Sequence, residues 1–172
     1  MDPSETSTAS RRPRPRQVIV REARHADAAL MADLTRAAWA QRVASTSSGH
    51  HEEAAQVTHH LQEGGGFLLL VDEQPVGSVR WLPLEGNSAV WEIRRMGVLA
   101  AYRGENLSLH LLEAVIHHAL AAEVKELRLA VRTDQSRLVG AYAAYGFDLA
   151  PELDYANGNP LEPPPTMMRR VL

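Results

Sequence analysis

The chain contains no cysteine. That excludes a cysteine nucleophile, a disulfide framework and every thiolate metal site. Excess basic charge is also missing: 18 Lys and Arg stand against 21 Asp and Glu, a formal net charge of −3. A dedicated nucleic-acid binder is strongly basic, so no nucleic-acid partner is expected. Apolar runs such as Phe67–Val71 fall far short of the ~20 residues of a membrane span, and no membrane association is expected. The N-terminus lacks the apolar stretch of ~7–15 residues that a secretory signal needs. A cytoplasmic location is the expectation. No G-x-G-x-x-G follows an early strand, and no Lys-Ser/Thr pair follows a glycine-rich loop, which excludes Rossmann and Walker nucleotide sites. What remains is a chain of 172 residues, 45% apolar and 23% charged. This is an ordinary globular mixture, long enough for one domain with its own core.

Residues 1–16 (MDPSETSTASRRPRPR) carry almost no apolar side chains. Such a segment cannot offset its ordering entropy by burial, so a disordered lead-in is expected. The alternative is a basic arm in which Arg11, Arg12, Arg14 and Arg16 touch an acidic partner. The folded unit is expected over 17–172.

Within that unit the patterning predicts a strand at Gln17–Arg21 and a helix over Asp27–Gln41, where Leu30, Leu34, Ala37 and Ala38 recur at helical spacing. A second, polar helix is expected over Glu52–Gln62, ended by Gly64-Gly65-Gly66. Phe67–Val71 and Val76–Leu82 read as a hairpin across the turn Asp72–Pro75. Val90–Val98 reads as a strand, Leu107–Ala122 as a helix with one broad apolar face, and Glu126–Val131 as an alternating strand. Gln135–Tyr145 reads as a helix stopped at Gly146, and Thr166–Val171 as a last strand. Loops are expected at 44–50, 83–89 and 150–165. The order predicts an α/β fold with helices covering a mixed sheet. Its strand–loop–helix–strand from Val90 to Val131 forms a parallel unit.

The loop Ala101-Tyr102-Arg103-Gly104-Glu105-Asn106 stands directly before a helix start. Unpaired N–H groups and the positive end of the helix dipole favour a phosphate or diphosphate there, and Arg103 adds a fixed cation. This stretch, Val98-Leu99-Ala100-Ala101-Tyr102-Arg103-Gly104, resembles the coenzyme A signature of the GNAT superfamily of acyl-CoA-dependent N-acetyltransferases. Tyr142-Ala143-Ala144-Tyr145-Gly146-Phe147 is similar to a second family motif. The resemblance runs over nearly the whole of 17–172. It implies a single-domain fold with about six or seven strands and about four helices. It also implies transfer of an acetyl group from acetyl-CoA to a primary amine, by direct attack in a ternary complex and without a metal. Asn106 and Ser108 stand where the family prefers glycine or alanine. Asn is the best non-glycine residue for a left-handed backbone, and it can also cap a helix.

By the resemblance, Tyr142 is the general acid that protonates the leaving thiolate, with Tyr145 one turn away as its substitute. A thiol of pKa about 8.5 and a phenol of pKa about 10 are compatible with that transfer in outline. Glu92 is the general base on the strand before the loop, with an ion pair to Arg94 as the alternative, since residues two apart share a strand face. Met96, Gly97 and Val98 offer backbone to the pantetheine arm, Gly97 suiting a bulge or a close approach. Arg103, Gly104, Glu105, Asn106, Leu107 and Ser108 hold the diphosphate, and Gln135 stands where the family often has Asn. A small-molecule or peptide amine is the implied partner, and the family's frequent dimers make a homodimer compatible. The adjacent pairs His50-His51, His59-His60 and His117-His118 lack metal-ligand spacing and read as solvated surface, apart from substrate contact at His50 and His51. Trp39 and Trp81 fit either core or pocket wall. The alternative functions are a non-catalytic acyl-CoA sensor of the same fold and an interaction protein that works through the basic arm.

Overall fold

The computed structural model describes residues 15–172. The expectations for residues 1–14 lie outside that range. Arg16, expected in the lead-in, is described and forms an ion pair with Glu105.

Seven strands form one sheet in the order β1-β2-β3-β4-β5-β7-β6. They are β1 (Val18–Glu22), β2 (Gly65–Val71), β3 (Gln74–Leu84), β4 (Asn87–Val98), β5 (Glu126–Val131), β6 (Asp148–Leu149) and β7 (Thr166–Val171). The helices are α1 (Ala28–Trp39), α2 (Ala54–Glu63), α3 (Leu107–Ala121) and α4 (Leu138–Ala143). Every strand pair is antiparallel except β4 with β5. The expected parallel unit is therefore present, and its crossover is α3.

The two faces of the sheet are covered differently. On one, α3 buries Leu111, Leu112, Val115 and Ile116 against Val79, Ile93, Leu127 and Leu129. On the other, α1 and α2 pack Met31, Leu34, Val57 and Leu61 around Leu68. Burying one such side chain contributes about 1.5–3 kcal/mol, and these two clusters fix the helices on the sheet. Trp81 is 2% exposed and stacks on Trp91 with centroids 5.6 Å apart. That assigns Trp81 to the core. The His118 ring lies 4.9 Å from the Trp81 ring. This corrects the expectation of a solvated pair: His118 packs on the aromatic cluster.

Several boundaries differ from the sequence expectation. β2 starts at Gly65, so the glycine run opens a strand instead of only closing a helix. The turn between β2 and β3 shortens to Asp72-Glu73, both at positive φ, a conformation that matches the strand twist of a tight hairpin. The expected loop 83–89 is mostly strand, because β3 and β4 pair as far as Leu84 with Asn87. The last helix begins at Leu138, after a 3-10 turn at Thr133–Gln135. β6 was not foreseen. Glu52 lies before α2 instead of inside it, and its carboxylate is fully buried.

That carboxylate meets two cations. Glu52 Oε1 is 2.8 Å from Arg80 Nη1 on β3, and Oε2 is 2.8 Å from Arg95 Nε on β4. The segment entering α2 is thus tied to two adjacent strands. Removing one member of a buried ion cluster leaves uncompensated charge in the interior, at about 3–5 kcal/mol. Glu52→Ala is expected to lower the unfolding midpoint by roughly 10 °C, at about 2–4 °C per kcal/mol for a domain of this size. Thermal unfolding followed by circular dichroism checks this.

Candidate functional site

β4 and β5 pair only through Val90, Glu92 and their neighbour Trp91, opposite Glu126–Arg128. Beyond them β4 runs on to Val98 and β5 to Val131 without pairing, so the two strands part. The β3–β4 register slips between Ser78 and Arg80, opposite Gly97 and Arg94. The one extra residue on β4 forms a bulge, with Arg95 at φ 53°. A non-glycine residue in that region costs about 1–3 kcal/mol and persists only where its surroundings hold it. Here Glu52 holds Arg95 Nε, and Ser48 Oγ accepts from Arg95 Nη2 at 2.7 Å. The bulge therefore sits at Arg95, not at Gly97. Gly97 serves a close approach: an added Cβ would fall 2.7 Å from the Trp39 ring and 3.0 Å from the Ala38 Cβ.

A first cavity of about 280 Å³ opens between the parted strands. Met96, Gly97 and Val98 line one wall, Leu129, Ala130 and Val131 the other, and Tyr142 and Gln135 complete it. At its end lies the loop before α3. Gly104 has φ 84° and Asn106 φ 56°, so Asn106 adopts the left-handed backbone expected of it. Its side chain makes no cap hydrogen bond. The N–H groups of Gly104, Glu105 and Asn106 take no backbone acceptor among the described residues. Those of Leu107 and Ser108 start α3 and have no preceding turn to bond to. The arrangement fits a diphosphate held by main-chain donors.

Ten of the residues read from the sequence line this cavity: Met96, Gly97, Val98, Arg103, Gly104, Asn106, Leu107, Ser108, Gln135 and Tyr142. Glu105 does not; its side chain turns outward to Arg16. Arg103 donates from Nη2 to the Ala38 carbonyl at 2.6 Å, so its charge also clamps the end of α1. Gln135 Nε2 donates to the Arg42 carbonyl at 3.1 Å, and Arg137 Nη1 donates to Gln135 Oε1 at 2.9 Å. Burial pushes the Tyr142 phenol up to about 12. Tyr145 instead donates to Glu113 at 3.3 Å and lines neither cavity.

A second cavity, of about 410 Å³, adjoins the first. The two share Trp39, Ile93, Arg95, Ala130 and Arg132 as lining. Trp39 is thus pocket wall. Loops 44–50 and 150–165 contribute, through Ser47, Ser48, Tyr155 and Asn159 among others, while 83–89 does not. Glu92 lies here, away from Tyr142, with Arg94 Nε donating to its Oε1 at 2.6 Å. The ion pair weighed as the alternative role is present, and the Oε2 atom takes no hydrogen-bond partner among the described residues. His50 is bonded to the Ala44 carbonyl at 3.1 Å and lines neither cavity.

Three residues of this cavity, Arg95, Arg132 and Tyr155, escaped the sequence reading, and a fourth corrects it: His60, expected on solvated surface, is buried. Arg95 holds the bulge. Arg132 is paired with Asp134 and Glu162. Tyr155 approaches Glu92, and burial and then that carboxylate raise its phenol. His60 is 8% exposed. Burial, then the Arg80 and Arg94 charges, lower its imidazole to about 4. The available signals were a tyrosine alone in a Pro/Asn/Gly-rich loop and a run of charge, Glu92 to Arg95, inside a strand.

His60 gives a testable pH dependence. Unfolded, it binds a proton near 6.5; folded, only near 4. The unfolded state therefore takes up the proton first, and stability falls as the pH drops from 6.5 to 4. His60→Gln is expected to flatten that part of the curve of unfolding midpoint against pH.

Among the described residues no helix is long and apolar enough to cross a membrane. No match was found among curated proteins. Solved structures give the fold many relatives. A GNAT-family acetyltransferase from Streptococcus pneumoniae is 20% identical with a TM-score of 0.68, covering 91% of this chain and 100% of its own. The PaiA N-acetyltransferase from Thermoplasma acidophilum, in complex with coenzyme A, is 13% identical with a TM-score of 0.73, over 91% and 99%. A ribosomal-protein-alanine N-acetyltransferase from Brucella melitensis is 18% identical with a TM-score of 0.68, over 90% and 99%. The family model for acetyltransferases of the GNAT family matches residues 31–147, which span the bulged strand, the amide-lined loop and the Tyr142 helix. The chain belongs to the GNAT acetyltransferase family and is an acyltransferase.

Proposed function

We propose that the protein transfers an acetyl group from acetyl-CoA to a primary amine by direct attack within a ternary complex. The observation that carries this reading is the pair of adjoining cavities at the β4–β5 gap. One ends at unpaired main-chain N–H groups and holds Tyr142; the other holds Glu92. Acetyl-CoA, when bound, supplies the thioester.

The chain's own residues do the rest. The N–H groups from Gly104 to Ser108 hold the diphosphate, and the unpaired edge of β4 from Met96 to Val98 offers hydrogen bonds to an extended arm. The Val98 amide is placed to donate to the carbonyl oxygen as negative charge develops on it. Glu92 takes a proton from the incoming amine, directly or through water. Tyr142 donates its phenolic proton to the departing sulfur. Its raised pKa keeps that proton in place, and burial in the same cleft raises the affinity of a thiolate for it. Gln135 fixes the turn that leads into α4 and so sets the position of Tyr142.

Binding is tested first by thermal unfolding. At about 100 times Kd, acetyl-CoA adds ~2.7 kcal/mol, a rise of several degrees at roughly 2–4 °C per kcal/mol. The same rise is not expected with ATP or NAD. Thiol release with an amine then separates the enzyme from a sensor that only binds. Tyr142→Phe is expected to lower kcat by about 100-fold or more while leaving the acetyl-CoA stabilisation unchanged. In the native enzyme, no loss of rate from Tyr142 ionisation is expected until the pH nears 12. An unchanged kcat in the Phe variant overturns the role of Tyr142.

A further inference from the structure

Glu92, Arg94 and Arg95 line the second cavity, and the buried Arg80 and Glu52 lie behind them. Arg80 and Arg94 are direct cross-strand partners on β3 and β4. Glu92 is two residues before Arg94 on the same face, and Arg95 and Glu52 adjoin them. Three guanidinium groups meet two carboxylates, so one positive charge is unmatched. His60, lowered to about 4, adds none at neutral pH. The rim is of opposite sign: Arg132 meets both Asp134 and Glu162.

The hydrogen bonds decide which of these groups remain open to a ligand. Arg132 commits its Nε and both terminal nitrogens to Asp134 and Glu162. Arg95 is held by Glu52 and Ser48. Arg94 differs. Its Nε is bonded to Glu92 Oε1, and both terminal nitrogens lack a partner among the described residues. Its side chain is 24% exposed and lines the cavity. Glu92 likewise has Oε2 uncommitted. An open carboxylate oxygen and an open guanidinium fork therefore stand side by side, joined through the 2.6 Å Nε–Oε1 bond.

We infer that the acceptor is an amine bearing its own carboxylate on a neighbouring carbon, of the free amino-acid class. The inference rests on the acetyl-transfer reading. The amino group meets Glu92 Oε2, and the carboxylate takes two parallel hydrogen bonds from the Arg94 terminal nitrogens, a geometry suited to guanidinium. The cavity of about 410 Å³ suits a ligand of this size. The C–N bond forms as the C–S bond breaks. The proton lost by the amine goes to Glu92, and the sulfur takes one from Tyr142. The products are an N-acetyl amino acid and free coenzyme A, and solvent restores both side chains.

The experiment measures thiol release from acetyl-CoA with free amino acids, the matching amino-acid amides, and spermidine. The free acids are expected to show kcat/KM about tenfold or more above their amides, the value of roughly one charge-assisted pair of hydrogen bonds. Arg94→Gln is expected to raise KM for the acids and erase the difference between acid and amide, with Arg94→Lys restoring part of it. In both variants the stabilisation by acetyl-CoA persists. Equal turnover of acids and amides, preference for spermidine, or an equal loss on both substrates in Arg94→Gln overturns the assignment. So does stabilisation by acetyl-CoA with no acid turned over, which leaves the acetyl-CoA site standing. Absence of that stabilisation overturns the underlying reading, and the assignment with it.

Discussion

The site depends on the failure of two neighbouring parallel strands to stay together. β4 and β5 pair over three residues and then separate. Unpaired strand edges inside a protein are costly, because each buried N–H or C=O without a partner loses about 1–3 kcal/mol. The gap persists because the fold holds it open. A bulge at Arg95 turns the strand, and a buried carboxylate on the segment before α2 grips the bulged residue. The same carboxylate grips β3 through Arg80. The helical layer on one face thus sets the shape of the sheet beneath it, and both cavities follow from that shape.

The local parts of this arrangement were legible in the sequence. The loop before α3 is a contiguous motif followed by the clearest helix in the chain, so its position and its left-handed Asn106 were readable. Tyr142 was readable as a position from a second contiguous stretch, Tyr142 to Phe147. What the sequence concealed was long-range. Glu52, Arg80 and Arg95 lie far apart in the chain, and only folding brings them together. Arg80 falls among apolar residues of β3, and no periodicity tells whether such a residue faces water or a buried partner. The start of α4 was misjudged because Gln135 spends its side chain on the Arg42 carbonyl, which stabilises a 3-10 turn where the letters suit a helix. A two-residue edge strand such as β6 has no pattern to detect. The glycines opening β2 resembled a stop because glycine has low strand propensity.

Charge is distributed unevenly between the two cavities. The loop at the end of the first relies on backbone donors, and its one arginine is partly engaged by α1. The second is crowded with guanidinium groups, most of them already paired. Under the proposed reading, recognition by main chain tolerates side-chain change, and Asn106 and Ser108 are compatible with it. Recognition by side chain does not, so in the same reading selectivity falls to the second cavity and to the loops around it.

Trp39 has a consequence of a different kind. The chain has three tryptophans. Trp81 and Trp91 stack together on the α3 side of the sheet and line neither cavity. Trp39 alone among them borders both cavities, held where Gly97 leaves room for its ring. The protein therefore carries a built-in optical reporter. Of the three indoles, the one at the junction of the two cavities is the one that a ligand in either would meet.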